Sequence, residues 1–202
     1  MVSQLRWELD DSPAAGAIGQ GALFDPVERH IGKGEFRGME FLHVRAKTII
    51  NELKDGPGFL PTPFTVNAYR GCSHACTYCF ARPTHHYLGL GTGEDFERKI
   101  VVKINALDVL RRELDPRRWP GHAIAMGTNT DPYQRCEGKY RLTQGVVRQL
   151  SEAGNPFSIL TKSTLVLRDL GLLAEAAQRT DVRVDFSVGT VDEDVWLSLI
   201  HI

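Results

Sequence analysis

Three cysteines packed into eight residues, in Tyr69-Arg70-Gly71-Cys72-Ser73-His74-Ala75-Cys76-Thr77-Tyr78-Cys79, constrain this chain more than any other stretch of it. Only one further cysteine, Cys136, occurs in the 202 residues, so the set is too sparse for a disulfide framework and reads as metal-binding or catalytic. Three thiolates spaced C-x3-C-x2-C on a loop can wrap one face of an iron–sulfur cube, each taking one iron. Gly71 lets the backbone turn tightly just before the first of them. A cube has four irons, and three local ligands leave one open to a substrate or cofactor. Two plainer readings stand beside this one. A structural zinc site would need a fourth ligand from Cys136, His74 or His85, and more often shows two paired ligand sets. Chance core cysteines would not gather at a strand-to-helix turn with this spacing.

The rest of the chain says what kind of scaffold holds that loop. Residues 1–40 are loop-rich, with Gly and Ala dominant over 14–22, and Arg45 to Leu53 is readable as a short helix. Gly56-Pro57-Gly58 and Pro61-Thr62-Pro63 then break the chain, which places an irregular N-terminal extension over 1–60 and a core over 61–202. Within the core, Phe64 to Tyr69 is expected to be a strand, followed by a helix from the third cysteine that Pro83 stops. Lys99 to Lys103 is a short β-prone run, and Ala106 to Leu114 carries Leu107, Leu110 and Leu114 at helical spacing. His122–Met126, Phe157–Leu160 and Val182–Val188 are strand candidates. Leu142–Ala153 is helical, with Val146, Val147 and Leu150 on one face. Val166–Ala177 is helical, with Leu170, Leu173 and Ala177, and Asp192 and Glu193 open another helix.

Strands alternating with helices imply parallel βα units, in an open doubly wound sheet or in a barrel. Each of the four expected core strands runs into a polar or small-residue cluster: Arg70-Gly71-Cys72, Thr128-Asn129-Thr130-Asp131, Thr161-Lys162-Ser163 and Ser187-Val188-Gly189-Thr190. A barrel gathers all such strand ends at one mouth. A doubly wound sheet brings only the loops at its switch point to a ligand. Four chemically equipped ends favour a partial (βα) barrel of parallel strands.

With those residues in view, the chain resembles the radical S-adenosylmethionine (SAM) superfamily, in which C-x3-C-x2-C with an aromatic before the third cysteine follows the first barrel strand. Asn67-Ala68-Tyr69-Arg70-Gly71-Cys72, Tyr78-Cys79-Phe80-Ala81-Arg82 and Thr130-Asp131-Pro132-Tyr133-Gln134 are similar to the bacterial branch related to spore photoproduct lyase, often labelled DNA repair photolyase-like. The likeness runs from about residue 45 to 196.

The resemblance implies a [4Fe–4S] cluster on Cys72, Cys76 and Cys79, with SAM chelating the open iron. It also implies reductive cleavage of SAM to methionine and a 5′-deoxyadenosyl radical. An electron donor such as a ferredoxin or flavodoxin is the implied partner. A DNA or other nucleic-acid substrate, and lyase-like chemistry on it, come only with the naming of the branch. By the same resemblance Tyr78 packs near the adenine of SAM. Thr130 and Asp131 take its ammonium in place of the Gly-Gly-Glu run common elsewhere in the superfamily, which this sequence lacks. Lys162 pairs with its carboxylate, and Ser187 bonds the ribose or carboxylate. No residue is assigned to proton or hydrogen transfer. Against each stands a simpler role: loop packing for Tyr78, a turn capped by Asp131 before Pro132, a surface position for Lys162, and a backbone hydrogen bond for Ser187. The competing function class is a non-enzymatic iron–sulfur or zinc protein that uses the cysteines to order a loop.

Other conspicuous residues read as bland. Cys136 is expected to be partly exposed and fortuitous, and His85-His86 sit at adjacent positions whose side chains diverge. Arg111-Arg112 and Arg117-Arg118 near Trp119 are a solvated face, since a net charge of -1 gives no global pull toward nucleic acid or anionic lipid. No apolar run approaches the ~20 residues of a membrane helix, and no secretory signal is visible, so a cytoplasmic location is expected. Four βα units fall short of the six usual for the family, and Trp196 to Ile202 ends apolar and uncapped. The expectation is a barrel truncated after about four units, with an unpaired edge at the fourth strand and with activity of this fragment in doubt.

Overall fold

The computed structural model describes residues 27–54, 56, 58, 60–192 and 195. Along the chain it forms β1 (Glu28–Ile31), β2 (Glu40–Val44), β3 (Ile50–Glu52), β4 (Phe64–Val66) and β5 (Tyr69–Arg70). A 3-10 helix (Arg82–Leu88) precedes α1 (Glu94–Arg98), β6 (Lys99–Lys103), α2 (Ala106–Glu113) and β7 (Ile124–Met126). Next come α3 (Glu137–Tyr140), α4 (Leu142–Glu152), β8 (Phe157–Thr161), a 3-10 turn (Thr164–Asp169) running into α5 (Leu170–Ala177), and β9 (Val182–Phe186). The Gly- and Ala-rich stretch over 14–22 and the segment from Trp196 lie outside the described residues. So does Glu193, although Asp192 accepts the Val195 N–H at 3.0 Å as a helix N-cap would.

Two sheets share these strands. In one the order is β3-β4-β7-β8-β9, with β4, β7, β8 and β9 parallel neighbours in chain order and β3 antiparallel at the edge. The other runs β1-β2-β6-β5, with only the β2–β6 pair parallel. The molecule is thus a mixed α/β fold with parallel strands, and the four core strands pair in the order the alternating pattern implies.

The strand expected over Phe64–Tyr69 is in fact two, one in each sheet. The break falls at Asn67, whose carbonyl accepts the Lys103 ammonium at 2.7 Å while its side chain turns to Thr128 and Asn129. The first bond takes a carbonyl that a continuous ladder would use, and β4 ends here before β5 restarts against β6.

The segment read as a helix over Arg45–Leu53 is instead a turn into β3. The Ile49 and Ile50 N–H groups donate to the Glu113 carboxylate at 3.0 and 2.8 Å, and the two β-branched side chains suit the extended conformation that follows. Strands β1 and β2 likewise replace loop in the region before residue 45, and both they and β3 join the same sheets as the core. Pro83, expected to stop a helix, lies in the first turn of one, where its missing N–H costs nothing.

Helix α4 lies between α2 and α5. Its Val146, Val147 and Leu150 are buried with Val109 and Leu110 of α2 and with Ile124, Met126, Phe157 and Ile159 of the sheet. That face of α4 is the one its spacing predicts. On α5 the buried pair is Leu173 and Ala176, whereas Leu170 and Ala177 are exposed. The preceding 3-10 turn has three residues per turn rather than 3.6, which rotates the helix out of the phase read from the sequence. A buried carboxylate, Glu137, ties the layers together. It accepts from the Tyr69 hydroxyl at 2.5 Å, the Thr143 N–H at 3.0 Å and Arg168 at 2.9 Å.

Strands β1 and β2 carry a smaller cluster. One Glu28 carboxylate oxygen lies 3.1 Å from His30 Nε2 and 3.3 Å from His43 Nδ1, and His43 Nε2 is 2.8 Å from the Tyr140 hydroxyl. Among the described residues no helix is long and apolar enough to cross a membrane.

Candidate cofactor site

The loop after β5 carries the cysteines, and neighbouring groups fix its path closely. Gly71 has φ +78°, and a Cβ there would stand 2.8 Å from the Phe96 carbonyl oxygen, so only glycine fits. The Gly71 carbonyl accepts the Thr130 hydroxyl at 2.5 Å and the Gln134 amide at 3.1 Å. The Gln134 side-chain oxygen in turn accepts the Ser73 N–H at 3.1 Å. Between the first two cysteines Ala75 takes φ +55°, a left-handed conformation uncommon for a side chain with Cβ. Arg82 holds it there. Its guanidinium donates to the Ala75 carbonyl at 2.9 Å and the Cys76 carbonyl at 3.0 Å, and pairs with Glu97 at 2.5 Å.

Beside this loop lies a cavity of about 250 Å³ whose walls include all eight residues singled out from the sequence: Cys72, Cys76, Tyr78, Cys79, Thr130, Asp131, Lys162 and Ser187. They arrive from the cysteine loop and from the ends of β7, β8 and β9, so the four polar strand ends do meet at one place. All three loop cysteines are free thiols, Cys72 and Cys76 buried and Cys79 partly so.

Burial pushes the Cys72 thiol up, and the Asp131 charge adds to it. Burial also raises Cys76, with Lys162 pulling the other way. A coordinated metal reverses that preference, since it deprotonates a ligating thiol outright. Among the described residues, the set of three His, Cys, Asp or Glu side chains with ligand atoms all within 4.8 Å of one another is Glu28, His30 and His43. The three loop sulfurs are thus not all within 4.8 Å of one another. One tetrahedral zinc, with Zn–S near 2.3 Å, would draw them to about 3.8 Å apart. A cube gives each thiolate a different iron and suits the wider spread. Three free thiols on one loop that line a single cavity are a donor set that fits a four-iron cube with one iron left open.

The polar wall is tightly engaged. Both Asp131 oxygens are taken by the protein: one accepts the Tyr133 N–H at 2.8 Å and the Thr161 hydroxyl at 2.6 Å, the other the Lys162 N–H at 2.7 Å. His74 Nε2 lies 3.3 Å from that second oxygen. Burial alone would raise this carboxyl, but the His74 contact, the His74 charge and the Thr161 and Lys162 bonds outweigh it and hold it below its ordinary range. Asp131 thus caps its own turn and also bridges β7 to β8. Thr130 is occupied as well, between Gly71 and Gln134. Lys162 donates to the Ser187 hydroxyl at 2.7 Å and carbonyl at 3.1 Å, and its ammonium lies 5.5 Å from the Tyr78 ring centroid. Tyr78 and Phe80 stand exposed at the rim.

Two positioning residues, Gln134 and Arg82, had no role assigned from the sequence, although both lie in the stretches that carried the resemblance. Cys136 proves to be fully buried in the main core rather than partly exposed, because α3 turns it inward against Tyr69 and Tyr133. His85 is also buried, packed edge-on against Phe96 with Nε2 3.1 Å from the Lys99 carbonyl oxygen, and takes no part in the cavity. The arginines at 111, 112, 117 and 118 are exposed, as expected of a solvated face.

The family model of the radical SAM superfamily matches residues 66–201. The chain belongs to the radical SAM superfamily. Among curated relatives, an uncharacterized protein of Mycobacterium tuberculosis is 48% identical over 167 residues, covering 83% of this chain and 49% of the relative. An uncharacterized protein of Methanocaldococcus jannaschii is 32% identical over 134 residues, covering 66% of this chain and 47% of the relative. This radical SAM chain spans about half the length of the curated relatives it matches. A solved structure of spore photoproduct lyase with a dinucleoside spore photoproduct aligns at TM-score 0.48 and 16% identity, over 79% of this chain and 46% of that one.

Proposed function

We propose that this chain is the radical-generating part of a radical SAM enzyme, with a [4Fe–4S] cluster on Cys72, Cys76 and Cys79 and SAM in the adjoining cavity. The observation that carries the reading is the convergence of three free thiols and the ends of three parallel strands on one cavity. When bound, the cluster would supply one electron to the sulfonium of SAM, releasing methionine and a 5′-deoxyadenosyl radical. The chain's own residues bind, orient and shield. Arg82, Gln134 and Thr130 hold the cysteine loop. Tyr78 offers an exposed aromatic face for the adenine, and Lys162, steadied by Ser187, offers the cation for the carboxylate. Asp131 and Thr130 serve chiefly as framework, since protein donors already occupy them; their contact with the SAM ammonium would use remaining lone pairs. The strands β4, β7, β8 and β9 are the first four of a partial barrel within a core over 61–202, to whose sheets β1, β2 and β3 from the first sixty residues add.

Thiol-ligated iron suits the reducing cytoplasm, where a ferredoxin or flavodoxin would provide the electron. A lyase-like reaction on DNA or another nucleic acid is the substrate reading, and its support is the wording of Asn67–Cys72, Tyr78–Arg82 and Thr130–Gln134.

Anaerobic reconstitution with iron and sulfide, followed by dithionite and SAM, tests the proposal. One cube per chain and formation of 5′-deoxyadenosine are expected, both lost in Cys76→Ala. Uptake of zinc alone, or iron content untouched by Cys76→Ala, would overturn the reading in favour of a structural metal site.

A further inference from the structure

A second cavity, of about 520 Å³, opens beside the first and shares Phe80, Thr128 and Asn129 with it as a common wall. None of the roles assigned above to the cysteines or to the SAM contacts uses it. Its charged lining is of one sign: Lys54, Arg70 and Lys103, joined by the amides of Asn51, Asn67 and Asn129, with no carboxylate among the described lining residues.

The two deeper cations stand close together because β5 pairs with β6, placing Arg70 opposite Val101 and Tyr69 opposite Val102, next to Lys103. Arg70 is partly buried, and its guanidinium makes no hydrogen bond or ion pair with any described residue. The Lys103 ammonium donates to a neutral carbonyl, that of Asn67 at 2.7 Å, and to no acid. Burial pushes this ammonium down to about 8, and the Arg70 charge adds to the effect. The Glu113 charge acts on Lys103 in the opposite sense but lines no part of the cavity. Two like charges half-withdrawn from water, with spare donors and no carboxylate among the described lining residues, are costly unless something negative completes them.

We infer that this cavity seats an anionic group of the substrate, a phosphate or a carboxylate, on Arg70 and Lys103. This rests on the radical SAM reading, and adds to it which part of the substrate is gripped and where. The Arg70 fork can take two oxygens of such a group and Lys103 a third as a point charge. The uncharged remainder would pass the shared wall at Phe80 toward the cysteine cavity. Arg70 is two residues from Cys72, so the anion seat and the cluster loop are fixed to each other by a single stretch of backbone.

The test uses the whole chain and does not require turnover. Pyrophosphate and succinate are titrated separately by calorimetry, with thymidine as the uncharged control. Saturable one-to-one binding of either anion is expected, weakened at least tenfold in Lys103→Met and in Arg70→Gln and unaffected by Arg117→Ala on the exposed face. The stronger of the two anions identifies phosphate or carboxylate as the natural group. Iron content after reconstitution reports whether Arg70→Gln has disturbed the cysteine loop; if it has, Lys103→Met decides alone, since a methionine fills the same space without a charge. No saturable binding, binding that survives Lys103→Met, or binding that SAM displaces would each overturn the inference. Anion binding without 5′-deoxyadenosine formation would instead count against the radical reading while leaving the anion seat in place.

Discussion

Gln134 illustrates how much a single uncharged side chain can carry. It is fully buried and spends both ends of its amide on the cysteine loop and on Thr130. Replacing it by leucine strands the Ser73 N–H and removes one of the two donors to Gly71, at about 1–3 kcal/mol for the orphaned donor. Gln134→Leu is therefore expected to lower the thermal midpoint and to cut iron retention after reconstitution. Gln134→Glu, which keeps an acceptor for Ser73, should recover part of both. A second residue-scale prediction concerns pH. Burial, aided by the nearby His30 charge, holds the His43 imidazole below its ordinary range. A base with a lowered folded pKa contributes stability that is present above its unfolded value near 6.5 and is lost as pH falls through the lower folded one. Thermal midpoints measured from pH 7.5 down to 5 should fall in part through this group, and His43→Phe should flatten that portion of the curve. The identities of the cavity-lining residues were readable from the sequence because each follows a strand. Their partners were not, since a hydrogen bond such as Gln134 to Gly71 joins positions 63 residues apart.

Among the elements, pattern and position succeed where one period dominates. Helix α4 shows its buried face directly in Val146, Val147 and Leu150, and β8 follows from its apolar run. Failures cluster where side chains intervene in the backbone ladder: Asn67 splits one expected strand in two, and Glu113 draws Ile49 and Ile50 into an extended path. Neither carries a periodic signal. The end of β7 shows a tighter constraint. Gly127 has φ +91°, and a Cβ there would stand 2.0 Å from the Leu160 carbonyl oxygen at the neighbouring strand. Gly127→Ala should destabilise the chain by about 2 kcal/mol or more, from overpacking plus left-handed strain. Urea unfolding would measure this; a change under 0.5 kcal/mol would mean that β7 and β8 part easily.

Across the whole molecule, the described part of the parallel sheet ends at β9, where Phe186 and Val188 are more than half exposed. With Leu160, Tyr78 and Phe80 they add apolar surface near the cavity mouth. A strand edge without a partner among the described residues, beside exposed apolar groups, favours pairing between copies. Light scattering of this 202-residue chain is expected to show concentration-dependent association that Phe186→Lys reduces; an unchanged monomer at high concentration would refute it. The cysteine loop has a different dependence on the whole. It hangs at the seam where the chain leaves one sheet at Val66 and enters the other at Tyr69, and its braces come from residues some sixty positions later. Contacts that distant carry a large loop-closure cost before they form. With the proposed cluster, competence to take up iron would mark a finished fold: a nascent chain that exposed its three thiols before β7 had docked would present no cluster site, and metal loading would in effect select the molecules that had folded correctly.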